Sequence, residues 1–203
     1  DLQPDEVKIY PCEVIQGTEL YRQYEEGEFD PISDEEAKER LKEILKNEIP
    51  PHVRVKRVMR DIPSTEVDAG PQLTNMRQMA LQEIHDEGER CRCTRCREVG
   101  HMERTHNLEP QEEDIELVER DYSASEGHEY FLSYEDTKKD ILLGFIRLRT
   151  TEQSFREEID EDTLLVRQLK VLGSATDLGE SGSVQHKGFG RELMNQAEEK
   201  ARE

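Results

Sequence analysis

Three of the four cysteines lie close together in the chain, as Cys91-x-Cys93-x-x-Cys96. Thiols at this spacing come within a few ångströms of one another in almost any compact loop, and soft donors of this kind favour zinc or an iron–sulfur cluster. The neighbouring arginines would favour the ligating thiolate form. Because crowded exposed thiols would otherwise oxidise, the sequence predicts that Cys91, Cys93 and Cys96 are metal ligands.

A tetrahedral zinc site needs a fourth ligand, and the spacing does not identify it. The candidates are His101, His106, His85 and Cys12. We expect a structural metal, which would hold together a loop too short and polar to be fixed by packing. The alternative is three cysteines in a surface loop without a metal.

A second motif, Gln185-x-x-Gly188-x-Gly190, lies between an apolar stretch and an amphipathic one. Backbone N–H groups at a helix N-terminus lack intrahelical partners and attract anions, and glycine lets a phosphate approach closely. The pattern resembles the pyrophosphate-binding loop of GNAT acyltransferases, although a plain strand–turn–helix joint is the simpler alternative. The expected acetyl-CoA contacts are Gln168, Leu169, Lys170 and Val171 on the preceding strand, and Gln185, Lys187, Gly188, Phe189, Gly190 and Arg191 in the loop and helix.

Hydrophobic periodicity and turn residues predict an α/β chain whose character changes near residues 107–112. A capping box at Ser33 and Glu36 marks the start of one helix, and Gly88 suits the C-terminal cap of another. The predicted strands are 6–15, 53–59, 113–121, 128–134, 140–149 and 163–172, and the predicted helices are 19–25, 34–47, 73–87 and 189–203.

The charge of the chain is strongly acidic, with a formal net charge of −20. Taken alone, this argues against a nucleic-acid partner, since phosphate binding depends on Lys and Arg. Two explanations stay open: a surface adapted to high salt, or basic residues elsewhere in a longer protein. Two local basic clusters stand out, and each is either a solvated face or a phosphate-facing patch. They are Arg54, Lys56, Arg57 and Arg60, and Arg90, Arg92, Arg95 and Arg97.

No stretch of the sequence approaches the ~20 apolar residues that span a bilayer, and the start has no basic and apolar leader. We therefore expect a soluble, cytoplasmic protein without a membrane partner.

Several longer strings occur in a fixed order along the chain, and together they resemble the Elongator catalytic subunit family over essentially its whole length. These strings are Lys8-Ile9-Tyr10-Pro11, Val58-Met59-Arg60-Asp61-Ile62-Pro63, Asn75-Met76-Arg77, Cys91 to Gly100, Arg120-Asp121-Tyr122, Phe131-Leu132-Ser133-Tyr134-Glu135-Asp136, Ile141 to Arg149, and Gln185-His186-Lys187-Gly188-Phe189-Gly190.

The resemblance implies three segments: the tail of a radical SAM (β/α) barrel at 1–80, a cysteine-rich zinc-binding linker at 81–110, and the N-terminal part of a GNAT-like α+β acetyltransferase domain at 111–203. It implies carboxymethyluridine synthesis at the tRNA wobble position from acetyl-CoA, with SAM and a 4Fe–4S cluster in the parent protein. It also implies tRNA as a partner, with other Elongator-like subunits or a second copy of the chain. The residues expected to contact tRNA are Arg54, Lys56, Arg57, Arg60, Arg92 and Arg95.

The sequence departs from the family pattern in ways that remove catalytic assignments. The cysteine spacing is not the C-x-x-x-C-x-x-C of radical SAM clusters, and the family's tyrosine-containing segment beyond the acetyl-CoA loop is absent. The strand that usually reads Arg-Glu-Leu-His-Val reads Arg167-Gln168-Leu169-Lys170-Val171 here, which removes a group that titrates near neutral pH. We therefore assign no catalytic residue and expect the chain alone to be inactive. The alternatives are a protein or small-molecule N-acetyltransferase and a non-catalytic zinc module that binds RNA or protein.

Overall fold

The computed structural model describes residues 2–151, 154, 156–160, 162–173 and 188–203. The chain divides into two compact units. The first is Glu6–Cys93, and the second combines Asp1–Asp5 with Thr94–Glu203. In the described part of the chain, no helix has both the length and the apolar character needed to cross a membrane.

The first unit pairs two parallel strands and packs two amphipathic helices against each other. Val7 lies opposite Val55, which is fully buried. The elements of this unit are β1 (Glu6–Ile9), α1 (Glu19–Glu25), α2 (Asp34–Glu43), a π-helical turn (Ile44–Glu48), β2 (Arg54–Val58) and α3 (Met76–Asp86).

The predicted capping box at the start of α2 is confirmed. The Ser33 hydroxyl accepts the Glu36 backbone N–H at 3.2 Å, and the Glu36 carboxylate accepts the Ser33 backbone N–H at 2.9 Å. The predicted left-handed glycine after α3 is also confirmed, since Gly88 has φ +78°. Each feature satisfies backbone groups that the end of a helix would leave without a partner.

Two predicted elements of the first unit extend several residues beyond the observed C-terminal ends. The strand expected at 6–15 ends at Ile9 because Pro11 has no N–H to continue a ladder, and beyond it Val14 forms only an isolated bridge to Ala69. The helix expected at 34–47 is α-helical only to Glu43 and finishes as the π-helical turn that precedes Pro50.

A row of lysines joins α2 and the π-helical turn to α3. Lys38 lies 2.7 Å from Glu83, and Lys42 and Lys46 each lie 3.1 Å from Glu87. Because α2 and α3 also share a buried apolar seam, we expect the apolar contacts to supply most of the stability and the ion pairs to align the two helices. The seam residues are Ala37, Leu41, Leu45, Met76, Ala80 and Ile84.

The second unit is a four-stranded antiparallel sheet in the order β3-β4-β5-β6, preceded by two short helices and followed by one long helix. The segment 91–110, in which no helix was predicted, contains both short helices. The elements of this unit are α4 (Thr94–Arg97), α5 (Val99–His106), β3 (Ile115–Ala124), β4 (Gly127–Asp136), β5 (Ile141–Thr151), β6 (Leu165–Val171) and α6 (Phe189–Lys200).

The two faces of this sheet differ in chemistry. One face is apolar and packs against α6, where Leu193 and Ala197 meet Leu132, Ile146 and Leu148. The other face carries a buried pair of phenylalanines together with arginines and carboxylates. The four strands predicted in this part of the chain are confirmed with shifted ends.

Gly144 lies where β5 meets β6 under α6, and a side chain there would be crowded. An added Cβ would sit 3.0 Å from the Lys170 carbonyl oxygen and 3.5 Å from a Leu193 methyl carbon. We expect Gly144→Val to lower the free energy of unfolding by about 1–3 kcal/mol, as overpacking of a core does. Urea denaturation measures this loss. Ser123→Val on the exposed edge strand β3 is the control, and an equal loss in both variants would contradict the crowding argument.

Candidate metal centre and anion-binding helix

The three clustered cysteines come together as predicted. Their sulfur atoms all lie within 4.8 Å of one another, and Cys91, Cys93 and Cys96 are 4%, 0% and 8% exposed. Thiolates bound to a tetrahedral zinc at ~2.3 Å lie about 3.8 Å apart, so the donor set needs shifts of less than ~1 Å to fit the metal. Cys96 is carried by α4, and the other two precede it directly.

The fourth ligand stays undetermined. All four cysteines belong to the described part of the chain, and none forms a disulfide. Within that part, the group of close donors consists of the three cysteines, and it includes none of His101, His106, His85 or Cys12. His101 and His106 lie on α5, with their rings 6.4 Å apart.

A buried charge network attaches the helix of Cys96 to the sheet. Arg97 is 2% exposed and donates to both oxygens of Glu135, at 2.7 and 3.0 Å, and to Asp140 at 2.9 Å. Arg120 also donates to both Glu135 oxygens, at 2.7 and 3.0 Å. Burial raises the pKa of Glu135, but Arg97 and Arg120 outweigh it and hold that pKa at about 2.

A second charge network lies at the other end of the same sheet face. Glu129 is 2% exposed and accepts from Arg149 at 2.7 Å and Arg167 at 2.9 Å. Asp5 accepts from Arg147 at 2.9 Å and Arg167 at 2.7 Å. Burial lowers the pKa of Arg147, against the opposing influence of Asp5.

Sequence reasoning missed both networks, although it had noted Arg97 as part of a basic cluster. The sequence of strand β4 contained a signal. Every second residue of a strand points to the same face, and a covered face is normally apolar, but several of these positions in β4 are charged or polar. These positions are Glu129, Ser133 and Glu135, with Phe131 between them.

The helix after the glycine motif begins as predicted. Gly188 has φ +91° and precedes α6, and its carbonyl accepts the N–H groups of Arg191 and Glu192 at 2.9 and 3.1 Å. The N–H groups of Phe189 and Gly190 in the first turn lack intrahelical acceptors by the geometry of any α-helix. Gln185 and Lys187 lie outside the described residues, so their expected contacts stay predictions.

The strand β6 forms one edge of the sheet in the described part of the chain. Gln168 accepts from Arg147 at 3.1 Å, and Leu169 is 39% exposed. An added Cβ on Gly190 would lie 3.4 Å from a Val171 methyl carbon, which shows that the start of α6 adjoins the end of β6. The predicted contact residues Gln168–Val171 and Gly188–Arg191 are therefore neighbours in space.

The residues expected to contact tRNA are exposed or partly exposed, and several of them already contact other side chains of this chain. Lys56 lies 2.8 Å from Glu6, Arg57 pairs with Asp61, and the Arg60 guanidinium lies 5.9 Å from the centre of the Tyr10 ring. Arg54 is half-buried, while Arg92 and Arg95 are exposed beside the cysteines. A phosphate group would compete with carboxylates at Lys56 and Arg57.

Both the sequence and the fold of this chain are similar to those of known proteins. The radical SAM C-terminal domain family matches residues 4–86. A tRNA uridine(34) acetyltransferase of Methanocaldococcus infernus is 48% identical over 100% of this chain and 38% of its own length. Human Elongator complex protein 3 is 43% identical over 99% of this chain and 37% of its own length.

The structure of the archaeal Methanocaldococcus infernus Elp3 with an N-terminal deletion matches with a TM-score of 0.89 and 48% identity. The match covers 98% of this chain and 47% of that one. The α/β architecture and the resemblance drawn from the sequence are thereby confirmed. The chain spans little more than a third of the curated relatives. Over its whole length the chain is similar to proteins of the Elongator catalytic subunit family, and its residues 4–86 match the radical SAM C-terminal domain family.

Proposed function

We propose that this chain is part of an enzyme that modifies carbon 5 of the tRNA wobble uridine, with acetyl-CoA as the acyl donor and a SAM-derived radical as its activator. The observation that carries the proposal is the 48% identity to an archaeal tRNA uridine(34) acetyltransferase over 100% of the chain. That identity spans both compact units, so it covers the radical SAM part and the sheet with its helix together.

The residues of this chain would contribute binding rather than bond making. The first-turn N–H groups of α6 would hold the acetyl-CoA pyrophosphate, and the edge that β6 forms in the described part of the chain would hydrogen-bond the pantetheine arm. The segment 111–203 would then be the GNAT-like part. Cys91, Cys93 and Cys96 would hold zinc as a structural metal. SAM and the 4Fe–4S cluster, which supply radical chemistry when bound, would be held by residues outside this sequence.

A plain N-acetyltransferase is the competing function. It needs only the sheet and α6, which lie in one compact unit. It does not explain why residues 4–86 match the radical SAM C-terminal domain family. The tRNA-modifying function accounts for both parts and is therefore preferred, with other Elongator-like subunits or a second copy of the chain as additional partners.

The test of this function uses the full-length protein that contains the chain. With acetyl-CoA, SAM, a reductant and tRNA, we expect modified wobble uridine, detected by mass spectrometry of digested tRNA. The 203-residue chain alone should give no product. Product from the chain alone would contradict its inactivity, and acetylation of peptides but not of tRNA by the full-length protein would favour the N-acetyltransferase.

Acetyl-CoA binding at α6 can be tested at Gly188 without breaking the helix. Asn and Asp both tolerate a left-handed backbone, and an added Cβ at Gly188 meets only a Glu192 oxygen at 3.9 Å. We expect Gly188→Asp to weaken acetyl-CoA binding at least about tenfold more than Gly188→Asn, because only Asp places a negative charge beside the pyrophosphate. Isothermal titration calorimetry measures both affinities.

The control for this measurement is another glycine with a similar backbone. Gly17 has φ +82° and no atom within 4 Å of an added Cβ. Gly17→Asp should leave acetyl-CoA affinity unchanged. Equal affinities of the Asp and Asn variants at Gly188 would place the pyrophosphate elsewhere.

A further inference from the structure

We propose that Arg97 is a positioning residue for the metal centre, which it serves by fixing the helix of Cys96 on the sheet through Glu135 and Asp140. The inference rests on the metal centre of the proposed function. Arg97 follows Cys96 directly in the chain and lies on the same short helix.

The helix α4 cannot orient Cys96 by itself. It contains four residues, Thr94–Arg97, and a single helical turn has too few hydrogen bonds to offset the entropy of ordering it. Its orientation therefore depends on tertiary contacts. Thr94 and Arg97, at its two ends, are 1% and 2% exposed.

The contacts of Arg97 restrict orientation as well as distance. Its two Nη atoms donate to the two oxygens of Glu135, at 2.7 and 3.0 Å, and Nη1 also donates to Asp140 at 2.9 Å. A planar guanidinium that meets both carboxylate oxygens has little freedom to tilt. Arg97 is consequently held against the sheet at two carboxylates from β4 and the β4–β5 turn.

The carboxylate that receives Arg97 is itself fixed. Glu135 accepts two bonds from Arg120, and the Ser133 hydroxyl donates to it at 2.7 Å. The chain after Arg97 is anchored too, because Glu98 bridges to Leu142 and Val99 is fully buried in an apolar cluster. The segment from Cys96 to Val99 is thus placed by the sheet, and Arg97 supplies the attachment that directly follows Cys96 in the chain.

The chain offers a matched control for this role. Glu129 lies on the same strand and face as Glu135, with 2% against 3% exposure, and it also accepts from two arginines, Arg149 and Arg167. Neither of those arginines is near a cysteine in the sequence. Loss of either glutamate removes a buried ion pair from the sheet, but only loss of Glu135 removes a carboxylate that holds Arg97.

The experiment measures zinc affinity of the full-length protein by competition with a chromogenic chelator. We expect Glu135→Gln and the milder Asp140→Asn to weaken zinc binding about tenfold or more, the usual scale for residues that orient metal ligands. Glu129→Gln should stay within about twofold of wild type, as expected for a site without shared partners. Equal losses in the Glu135 and Glu129 variants would show a general effect of sheet stability and overturn the positioning role.

A second measurement works without metal and survives a poorly folded Glu135 variant. In the metal-free protein, alkylation of each cysteine is timed by mass spectrometry, and Asp140→Asn should speed alkylation of Cys96, which is 8% exposed. Alkylation of Cys96 should be unchanged in Glu129→Gln. An unchanged Cys96 rate in Asp140→Asn overturns the proposal. Wild-type protein that binds no zinc would contradict the metal centre instead, while the alkylation rates still decide the role of Arg97.

Discussion

Cys93→Ser is expected to remove zinc from the purified protein altogether. Wild type should carry about one zinc per chain, measured by inductively coupled plasma mass spectrometry. Cys93 is fully buried between two other thiols that lie within 4.8 Å, and a serine hydroxyl is a much weaker ligand than a thiolate. With two thiolates left, most of the ~10–16 kcal/mol that a structural zinc can supply would be lost.

The control for this prediction also addresses the fourth ligand. Cys12 is exposed and lies outside the group of close donors. If Cys12 is not a ligand, the Cys12→Ser variant should still bind zinc. Single replacements of His85, His101 and His106 test the other three candidates for the fourth ligand in the same way. Folded wild-type protein without any metal would contradict the metal centre.

Local signals predicted the parts of this fold that depend on neighbours in sequence. The capping box of Ser33 and Glu36 and the left-handed Gly88 are each decided within four residues, so both could be identified from the sequence. The three cysteines are of the same kind, since their short spacing alone brings the sulfurs together. The start of α6 after Gly188 also follows from local pattern.

Features that depend on distant residues were missed. The helix α4 is too short to have a periodicity, and its residue Arg97 contacts Glu135, which lies 38 residues further along. The strand β1 stops early partly because Pro11 cannot continue a ladder and partly because β2, its partner in the described part of the chain, ends with it at the pair Ile9 and Val58. The contact between β6 and α6 in the candidate cofactor site could be expected from the sequence. The burial of Arg147 against the rings of Phe131 and Phe145 had no local signal in the sequence.

A second large effect on stability is expected at Glu135. Its pKa is held at about 2, against a usual value of 4.5, by Arg97 and Arg120 acting against burial. This difference corresponds to about 3 kcal/mol of folding free energy at neutral pH. Glu135→Gln should cost about that amount or slightly more, because it leaves Arg97 with the charge of Asp140 alone and removes the carboxylate that pairs with Arg120. Urea denaturation at pH 7 measures the loss, and Glu116→Gln on the exposed side of β3 should stay within about 0.5 kcal/mol of wild type.

The pH dependence of that loss separates charge from packing. Because the folded-state pKa of Glu135 is depressed, its stabilisation is complete above pH 4.5 and disappears as the pH falls toward 2. The difference between wild type and Glu135→Gln should therefore shrink by roughly half at pH 3, where the unfolded carboxyl is protonated and the folded one is still mostly ionised. A difference that stays constant from pH 7 to pH 3 would mean that Glu135 stabilises the sheet through its shape and hydrogen bonds. In that case the attraction of the Glu135 carboxylate to the charges of Arg97 and Arg120 would not be the source of its stabilising effect.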